Sequence, residues 1–309
     1  LYGATGQLNF AGLSEAVQQP EMKAALPVYI AILISGFLLK AAAFPLFFWL
    51  PASYHTLPVP LLALIGGLIT KVSISVLLRL MGQVFVDQPV VFYEALGWIA
   101  VATMVSGVLG AAYHWDLRRI LAFHIVSQIG YLLLAVALAS PAGGSAGLFF
   151  MIHNILAKAS LFLIAGIMWR TAGHYDLRRI GGLYPARPLL AVLFLIAGFS
   201  LVGVPPSSGF WGKFLLVQES FAQGHYAWGG LALAVGFLTL YSMVKIWLEG
   251  FWKPHPRGEA LTVPVVHLGP AYATVIVLAL LLLVMGLFPE PLIQYTNAAT
   301  SMLWGRGAS

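Results

Sequence analysis

The chain is a succession of long apolar segments separated by short polar loops. The apolar segments are each about as long as the 20 or so residues that a helix needs to cross a bilayer. None shows the alternation of apolar and polar residues that is typical of a membrane β-barrel. The pattern therefore predicts an all-α polytopic membrane protein with about eight transmembrane helices, at 26–50, 58–83, 92–113, 118–139, 146–169, 188–220, 226–250 and 268–290.

Two of these spans contain residues that interrupt a helix. In the span 26–50, Pro45 follows Lys40 by five residues, and proline removes one helix hydrogen bond and clashes with the preceding turn. We expect the carbonyls near Ala41 to be freed for water or for the lysine ammonium. In the span 188–220, residues 203–209 read Gly-Val-Pro-Pro-Ser-Ser-Gly, and Lys213 follows. Interrupted spans indicate the ion path of a transporter, although a packing kink is the simpler alternative.

Composition agrees with a membrane environment. The 309 residues are 60% hydrophobic and only 8% charged, which excludes a soluble globular enzyme and a disordered chain. The chain has no cysteine, so disulfides, thiolate metal sites and iron–sulfur clusters are excluded. It also has no Walker motif, no dinucleotide-binding glycine pattern and no cluster of metal-spaced ligands. We therefore predict no cofactor, no bound metal and no nucleic-acid partner.

The basic residues predict an orientation. One set of loops carries eight of them, which are Arg118, Arg119, Arg170, Arg178, Arg179, Arg187, Lys253 and Arg257; the other side carries Lys23, Arg79 and Arg306. The positive-inside rule makes the first side cytoplasmic. We accordingly divide the chain into an extracytoplasmic loop (1–25), three spans (26–113), four spans (118–250), and a cytoplasmic loop with the last span and a tail (251–309).

A short repeat lies in two of the cytoplasmic loops. Residues 116–120 read Asp-Leu-Arg-Arg-Ile, and residues 176–180 read the same. The sixty residues between the copies suffice for two spans and a turn, so both copies are expected on one side of the membrane. An ordinary stop-transfer anchor is the simpler explanation of each copy.

Five lysines fall inside the predicted spans, and charged residues at this depth are usually functional. They are Lys40, Lys71, Lys158, Lys213 and Lys245. The first three lie near span midpoints, too deep for the ammonium to reach either interface. No carboxylate occupies mid-membrane depth in this sequence. Because burial disfavours the charged amine, such a lysine can bind and release a proton near neutral pH, which a proton relay requires. A static lysine in a fixed polar network is the alternative.

Histidines lie near these lysines on the predicted helices. His124 shares a helix face with Ser127, Gln128 and Tyr131, because their spacing is i, i+3, i+4, i+7. His153 lies about one turn from Lys158, and histidine titrates in the range that suits a proton shuttle. A histidine satisfied within the core is the alternative for both. Lys245 either snorkels to the interface or ends the relay, with Glu249 as its candidate ion partner.

Several of these segments resemble the antiporter-like membrane subunits of complex I, membrane-bound hydrogenases and Mrp-type antiporters. The matching segments, in order, are 37–45 with 49–51, 70–72, 127–131, 153–163 and 205–213. Residues 49–56, 119–127 and 240–247 resemble the D subunits of Mrp Na⁺/H⁺ antiporters more than they resemble complex I subunits.

The resemblance implies a fold of fourteen helices, of which this sequence supplies the C-terminal part with two discontinuous helices. We expect six helices to precede it, including one whose glutamate partners the lysine matched by Lys40. The resemblance also implies that Lys40 loads protons, that Lys71, His153 and Lys158 continue the path, and that Lys213 ends it. Implied partners are membrane lipid, protons, Na⁺ (or K⁺ or Li⁺) and Mrp subunits of types A, B, C, E, F and G.

The function expected from this resemblance is proton translocation within a secondary transporter, and the chain is not expected to be an enzyme. Two alternatives stay open from the sequence. One is a proton-pumping subunit of complex I or of a membrane-bound hydrogenase, powered by redox chemistry in other subunits. The other is a structural membrane scaffold, which the cost of burying five lysines disfavours.

Overall fold

A computed structural model describes residues 1–23, 25–85, 89–256 and 268–304. Within these residues the secondary structure is helical, apart from a single bridge between two loops. The α-helices are α1 (Tyr2–Thr5), α2 (Phe10–Ala16), α3 (Pro20–Lys23), α4 (Leu26–Ala41), α5 (Trp49–Tyr54), α6 (Val59–Arg79), α7 (Val90–Tyr113), α8 (Leu117–Ala137), α9 (Pro141–Ala172), α10 (Leu183–Ala186), α11 (Pro188–Val202), α12 (Ser208–Ala222), α13 (Tyr226–Ile246), α14 (Gly269–Leu287) and α15 (Glu290–Trp304).

The helices confirm the predicted all-α membrane fold. Six helices among the described residues are long and apolar enough to cross a membrane. Two of them, α6 and α13, include a π-helical extension in this length, at Leu80–Val84 and Trp247–Trp252. The other two predicted spans are the interrupted ones. Their first parts are the shorter apolar helices α4 and α11, as the positions of the prolines predicted.

The first break places Lys40 at the end of a helix. Helix α4 ends at Ala41 because Ala42 adopts a left-handed conformation with φ 61°. Lys40 therefore lies in the last turn of α4, beside the break that interrupts the span 26–50. The freed carbonyl of Leu39 accepts a hydrogen bond of 2.9 Å from the indole Nε1 of Trp49. The expected bond between such a carbonyl and the Lys40 ammonium is thus replaced by a tryptophan contact.

The second break has a similar form. Helix α11 ends at Val202, and Gly203 has φ 90°, a conformation that glycine adopts without steric cost. The chain turns through Pro205 and Pro206 before α12 begins at Ser208. Proline has no backbone N–H to donate, so the last carbonyls of α11 need other donors.

Helix α8 forms the centre of the bundle and is buried almost all round. It packs most closely against α7, where glycines allow the backbones to meet. A Cβ on Gly107 would overlap the backbone nitrogen of Ser127, and a Cβ on Gly130 would lie 2.6 Å from the carbonyl oxygen of Ala100. Small residues at such contacts are typical of membrane helix packing. This arrangement places the polar face of α8 inside the protein.

The two Asp-Leu-Arg-Arg-Ile copies lie side by side at one end of the bundle. The amide of Leu117 donates to the carbonyl of Tyr175 at 2.9 Å, and the amide of Leu177 donates to the carbonyl of Trp115 at 3.0 Å. Each aspartate also accepts hydrogen bonds from the amides that follow it, at the start of α8 and of a 3₁₀ turn. We call this pair of segments, residues 115–119 and 175–179, the loop bridge.

The two ends of the chain differ from the predicted loop and tail. Residues 1–23 carry three short helices in place of the loop-like stretch. Helix α15 occupies most of the predicted tail and packs against the start of α9, where Ser145 and Thr296 are joined by a hydrogen bond of 2.8 Å between their hydroxyls. The predictions for Arg257 and Arg306 fall outside the described residues.

Candidate functional site

Three of the five predicted lysines lie deep inside the bundle. Lys71 is on α6, Lys158 on α9 and Lys213 on α12, and their exposed fractions are 2%, 0% and 8%. Lys71 and Lys158 lie near the middle of long spanning helices, as the sequence predicted. The cost of placing an ammonium in such a position is several kcal/mol unless polar groups surround it.

The ammonium groups of these lysines donate to backbone carbonyls. Lys71 donates to Gly66 at 2.9 Å, and Lys158 donates to Leu121 on α8 at 3.3 Å. The ion pairs found among the described residues all lie near helix ends or in loops, and they join Arg118 to Asp116, Arg178 to Asp176 and Lys253 to Glu249. Among the described residues, none of these three pairs includes Lys71, Lys158 or Lys213.

Lys213 binds the second break directly. Its ammonium donates to the carbonyls of Leu201 at 3.1 Å and of Val202 at 2.8 Å, which are the last two residues of α11. It also lies 4.9 Å from the centre of the Tyr131 ring. The negative end of the α11 dipole and the face of an aromatic ring both favour a cation at this position. A bond between a lysine ammonium and the last carbonyls of a broken helix, which was considered for the first break, thus occurs at the second.

His153 is held between α9 and the start of α12. Its Nδ1 lies 2.9 Å from the hydroxyl of Ser208, which in turn lies 3.2 Å from the hydroxyl of Ser200. Gly209 permits this contact, because a Cβ there would lie only 3.0 Å from the His153 ring. Ser200 and Ser208 were missed from the sequence; the Pro-Pro-Ser-Ser-Gly segment was the signal that polar side chains gather at the break.

Several buried polar atoms between the lysines have no hydrogen-bond partner among the described residues. They include both ring nitrogens of His124, Nε2 of His153, and both side-chain amide atoms of Gln128 and Asn154. Buried polar groups in proteins are nearly always hydrogen-bonded, and water serves where no protein partner is near. This arrangement suits a row of internal waters. The predicted polar face of α8 is therefore buried, and side-chain atoms of His124 and Gln128 on this face have no hydrogen-bond partner among the described residues.

Electrostatic interactions join these residues into one group. The charges of Lys71 and Lys213 act on Lys158, and the charges of Lys158, Lys213 and Lys245 act on His124. Lys158 and Lys213 also act on His153. We call this group, Lys71, His124, His153, Lys158 and Lys213, the lysine axis. It combines ammonium groups and imidazoles, which can pass protons through bound water, and helices α8 and α9 also carry the unpaired amides of Gln128 and Asn154.

Two of the predicted site residues lie apart from this group. Lys40 is exposed at the end of α4 on the surface of the described chain. Lys245 donates to the carbonyls of Ala112 and His114 at 2.7 Å each, at the end of α7. Glu249, the predicted ion partner of Lys245, acts on that lysine through its charge, but it forms its direct ion pair of 2.7 Å with Lys253, one turn further along.

The fold and the lysine axis define a polytopic helical membrane protein with two discontinuous helices and internal ammonium groups. The model of the NADH:quinone oxidoreductase/Mrp antiporter transmembrane family matches residues 1–242, and the chain belongs to this family. The expectation of an antiporter-like fold is thereby confirmed.

Similar proteins agree with the predicted subunit type. The D subunit of the Na⁺/H⁺ antiporter of Alkalihalophilus pseudofirmus is 38% identical over 96% of this chain and 60% of its own length. A chain in the structure of the Mrp complex from Dietzia sp. DQ12-45-1b has a TM-score of 0.87 at 32% identity, over 98% of this chain and 64% of that one. A chain of respiratory complex I from Thermus thermophilus has a TM-score of 0.75 at 29% identity, over 95% and 62%. The chain thus spans about 60% of the length of the curated relatives that it matches.

Proposed function

We propose that this chain carries the second part of the proton path in a D-type subunit of a monovalent cation/proton antiporter. The observation that carries the proposal is the lysine axis. Three lysines are buried in one bundle, their ammonium groups reach only carbonyls among the described residues, and unpaired imidazole and amide groups lie among them. A scaffold would gain nothing from three buried lysines that each cost free energy to bury.

Repulsion between neighbouring ammonium groups supplies a mechanism for moving protons along this axis. Two like charges in a low-dielectric interior each disfavour the other. Protonation of Lys71 would therefore promote transfer of the Lys158 proton toward Lys213, and protonation of Lys158 would promote release from Lys213. The imidazoles of His124 and His153 would relay protons through bound water. Lys213 would hold the last charge against the carbonyls of α11.

Lys40 would load this path from the other end, with an acidic partner supplied by helices that precede this chain in its relatives. Its exposed position at the end of α4 fits a residue that such helices would cover. The exchanged cation would be Na⁺, with K⁺ or Li⁺ as other candidates. The assembly would contain the further subunits of an Mrp-type complex, in the inner membrane of a prokaryote.

A pump driven by redox chemistry could use the same axis. The likeness to a chain of respiratory complex I keeps this alternative in view, but the similarity to D subunits is higher in sequence identity. Neighbouring genes separate the two functions, because a redox-driven pump requires genes for cofactor-binding subunits and an antiporter requires genes for small membrane subunits.

The test is Lys158→Met in the full subunit, expressed with its complex in cells that lack other sodium/proton antiporters. Antiport is followed as the collapse of a pH gradient across everted membrane vesicles when NaCl is added. We expect activity to fall at least tenfold while assembly of the complex is unchanged. Lys40→Ala should give the same result if Lys40 loads the path.

The matched control is Lys253→Met, which removes a lysine from the surface of the π-helical extension of α13 and should leave antiport near the unaltered level. Full antiport by an assembled Lys158→Met complex would refute the lysine axis as the proton path. Gradient collapse that needs no added cation, but needs a quinone and a reductant, would instead favour the redox-driven pump.

A further inference from the structure

A cavity of about 770 Å³ opens beside the loop bridge, at the end of the bundle that carries the basic loops. It lies between the start of α6, the end of α9 and the start of α14. Its volume is within the range of about 300–1,000 Å³ that is typical of small-molecule sites. The lysine axis does not contribute to its lining, so the cavity is separate from the proposed proton path.

Two arginines line this cavity, Arg118 and Arg170. The guanidinium of Arg118 lies 3.9 Å above the centre of the Tyr175 ring, and that ring stacks on Trp169 at 5.7 Å with an interplanar angle of 6°. The stack holds the guanidinium in place without using its hydrogen-bond donors. Its Nε is buried and has no hydrogen-bond partner among the described residues.

The nearby charges leave the site positive. Oδ2 of Asp116 approaches Arg118 at 3.6 Å, while its Oδ1 accepts from the amides at the start of α8, and Arg170 leaves the two arginines with a surplus positive charge over this carboxylate. Helices α6 and α14 both begin at the cavity, and neither has a side-chain cap for its first amides. The positive ends of two helix dipoles favour an anion, and Pro60 and Pro270 each remove one amide from the first turn of these helices. An arginine guanidinium can donate two parallel hydrogen bonds to the oxygens of one phosphate, so a phosphate group suits this site.

The rest of the lining is apolar and extends along the spanning helices. Leu163, Ile167, Leu268 and Ala271 form walls that a free phosphate or a soluble peptide would leave uncovered. A cationic end at the membrane interface joined to an apolar cleft is complementary to an anionic headgroup joined to an acyl chain. We propose that this cavity binds one anionic phospholipid, with its phosphate at Arg118 and Arg170 and an acyl chain along α9 and α14.

The test measures lipid retained by the full complex. The complex is purified in mild detergent from membranes that contain phosphatidylglycerol and phosphatidylethanolamine, and the retained lipid per complex is counted by mass spectrometry. In R118Q/R170Q we expect at least a fivefold loss of one tightly retained phosphatidylglycerol, with phosphatidylethanolamine unchanged. Ala271→Trp, which fills the apolar part and leaves both charges, should give the same loss.

The control is R178Q/R179Q, which removes two arginines of the second repeat copy that do not line this cavity. Equal loss in this control would show a general charge effect and would overturn the proposal. Unchanged retention in R118Q/R170Q would also overturn it, as would displacement of the lipid by inorganic phosphate alone. Unchanged retention in Ala271→Trp, with the complex assembled, would show that no acyl chain uses the cleft and would likewise overturn it.

Discussion

Replacement of Lys245 by methionine separates a structural lysine from a proton carrier. Lys245 is 8% exposed, and its ammonium donates to Ala112 and His114 at 2.7 Å and to Ala111 at 3.5 Å. These carbonyls end α7, where the helix dipole is negative. The Trp115 ring lies 5.1 Å from the same ammonium. The geometry is that of a helix cap supplied by α13.

The two short bonds set the size of the expected effect. A hydrogen bond from a charged donor contributes about 1.5–3 kcal/mol, and the lower value applies here because water near the interface can replace part of it. Lys245→Met should therefore destabilise the protein by about 3 kcal/mol. Lys253→Met removes only a surface ion pair and should cost less than about 1 kcal/mol.

Thermal unfolding of the detergent-purified complex, followed by loss of its gel-filtration peak, measures this difference. Lys245→Met should lower the apparent melting temperature by roughly 6 °C, and Lys253→Met by about 2 °C or less. Lys245→Arg should restore part of the stability, since its guanidinium can also donate to several carbonyls. Antiport by the assembled Lys245→Met complex should stay within about twofold of the unaltered level.

The reasoning is refuted if Lys245→Met assembles with unchanged stability and loses antiport. That outcome would place Lys245 at the end of the proton path, which is the alternative that the sequence left open. A loss of both stability and antiport that Lys245→Arg restores only in stability would support the same conclusion.

Two further predictions concern the second break and the loop bridge. Gly209→Ala should destabilise the complex by about 1–3 kcal/mol, because a Cβ would overlap the Ser200 carbonyl oxygen. The yield of folded complex should fall as a result. Gly230→Ala, which meets no described atom within 4 Å, is its control. The hydrogen bond from Arg178 holds the pKa of Asp176 below its ordinary value. The ionised Asp176 carboxylate should therefore stabilise the fold fully above about pH 4, and this stabilisation should be lost as pH falls further.

Each of these predictions has a direct check. Equal yields of Gly209→Ala and Gly230→Ala would show that the break can open to admit a methyl group. For the loop bridge, melting temperatures of Asp176→Asn and the unaltered complex are compared from neutral to acidic pH. The difference between them should shrink in acid; a difference that stays constant would contradict the assignment to the carboxylate.

The sequence predicted the features that depend on local chemistry. Pro206 and Gly203 cannot continue a helix, so the second break was visible, and the apolar length of the segments gave the long spans. Lys71 and Lys158 were placed correctly because each lies near the middle of an unbroken helix. These predictions need no knowledge of neighbouring helices.

The remaining features depend on tertiary contacts that no local pattern encodes. Helix α4 ends one residue after Lys40 because Ala42 is left-handed, and alanine gives no signal for this conformation. Lys245 reaches the end of α7, which lies more than 130 residues earlier in the chain. Helix α15 was taken for a tail because it is short, and its buried Thr296 and Thr300 are polar. Its place is determined by contact with α9.

The loop bridge has a mechanical consequence. Peptide hydrogen bonds fasten the residues before α8 to those after α9, so these two helices cannot slide past each other at that end. Transporters that rock one bundle against another need such sliding. If protons cross this protein along the lysine axis, α8 and α9 stay fixed to each other at this end. Access of the axis to either side of the membrane must then change through rotation of side chains and reorientation of bound water.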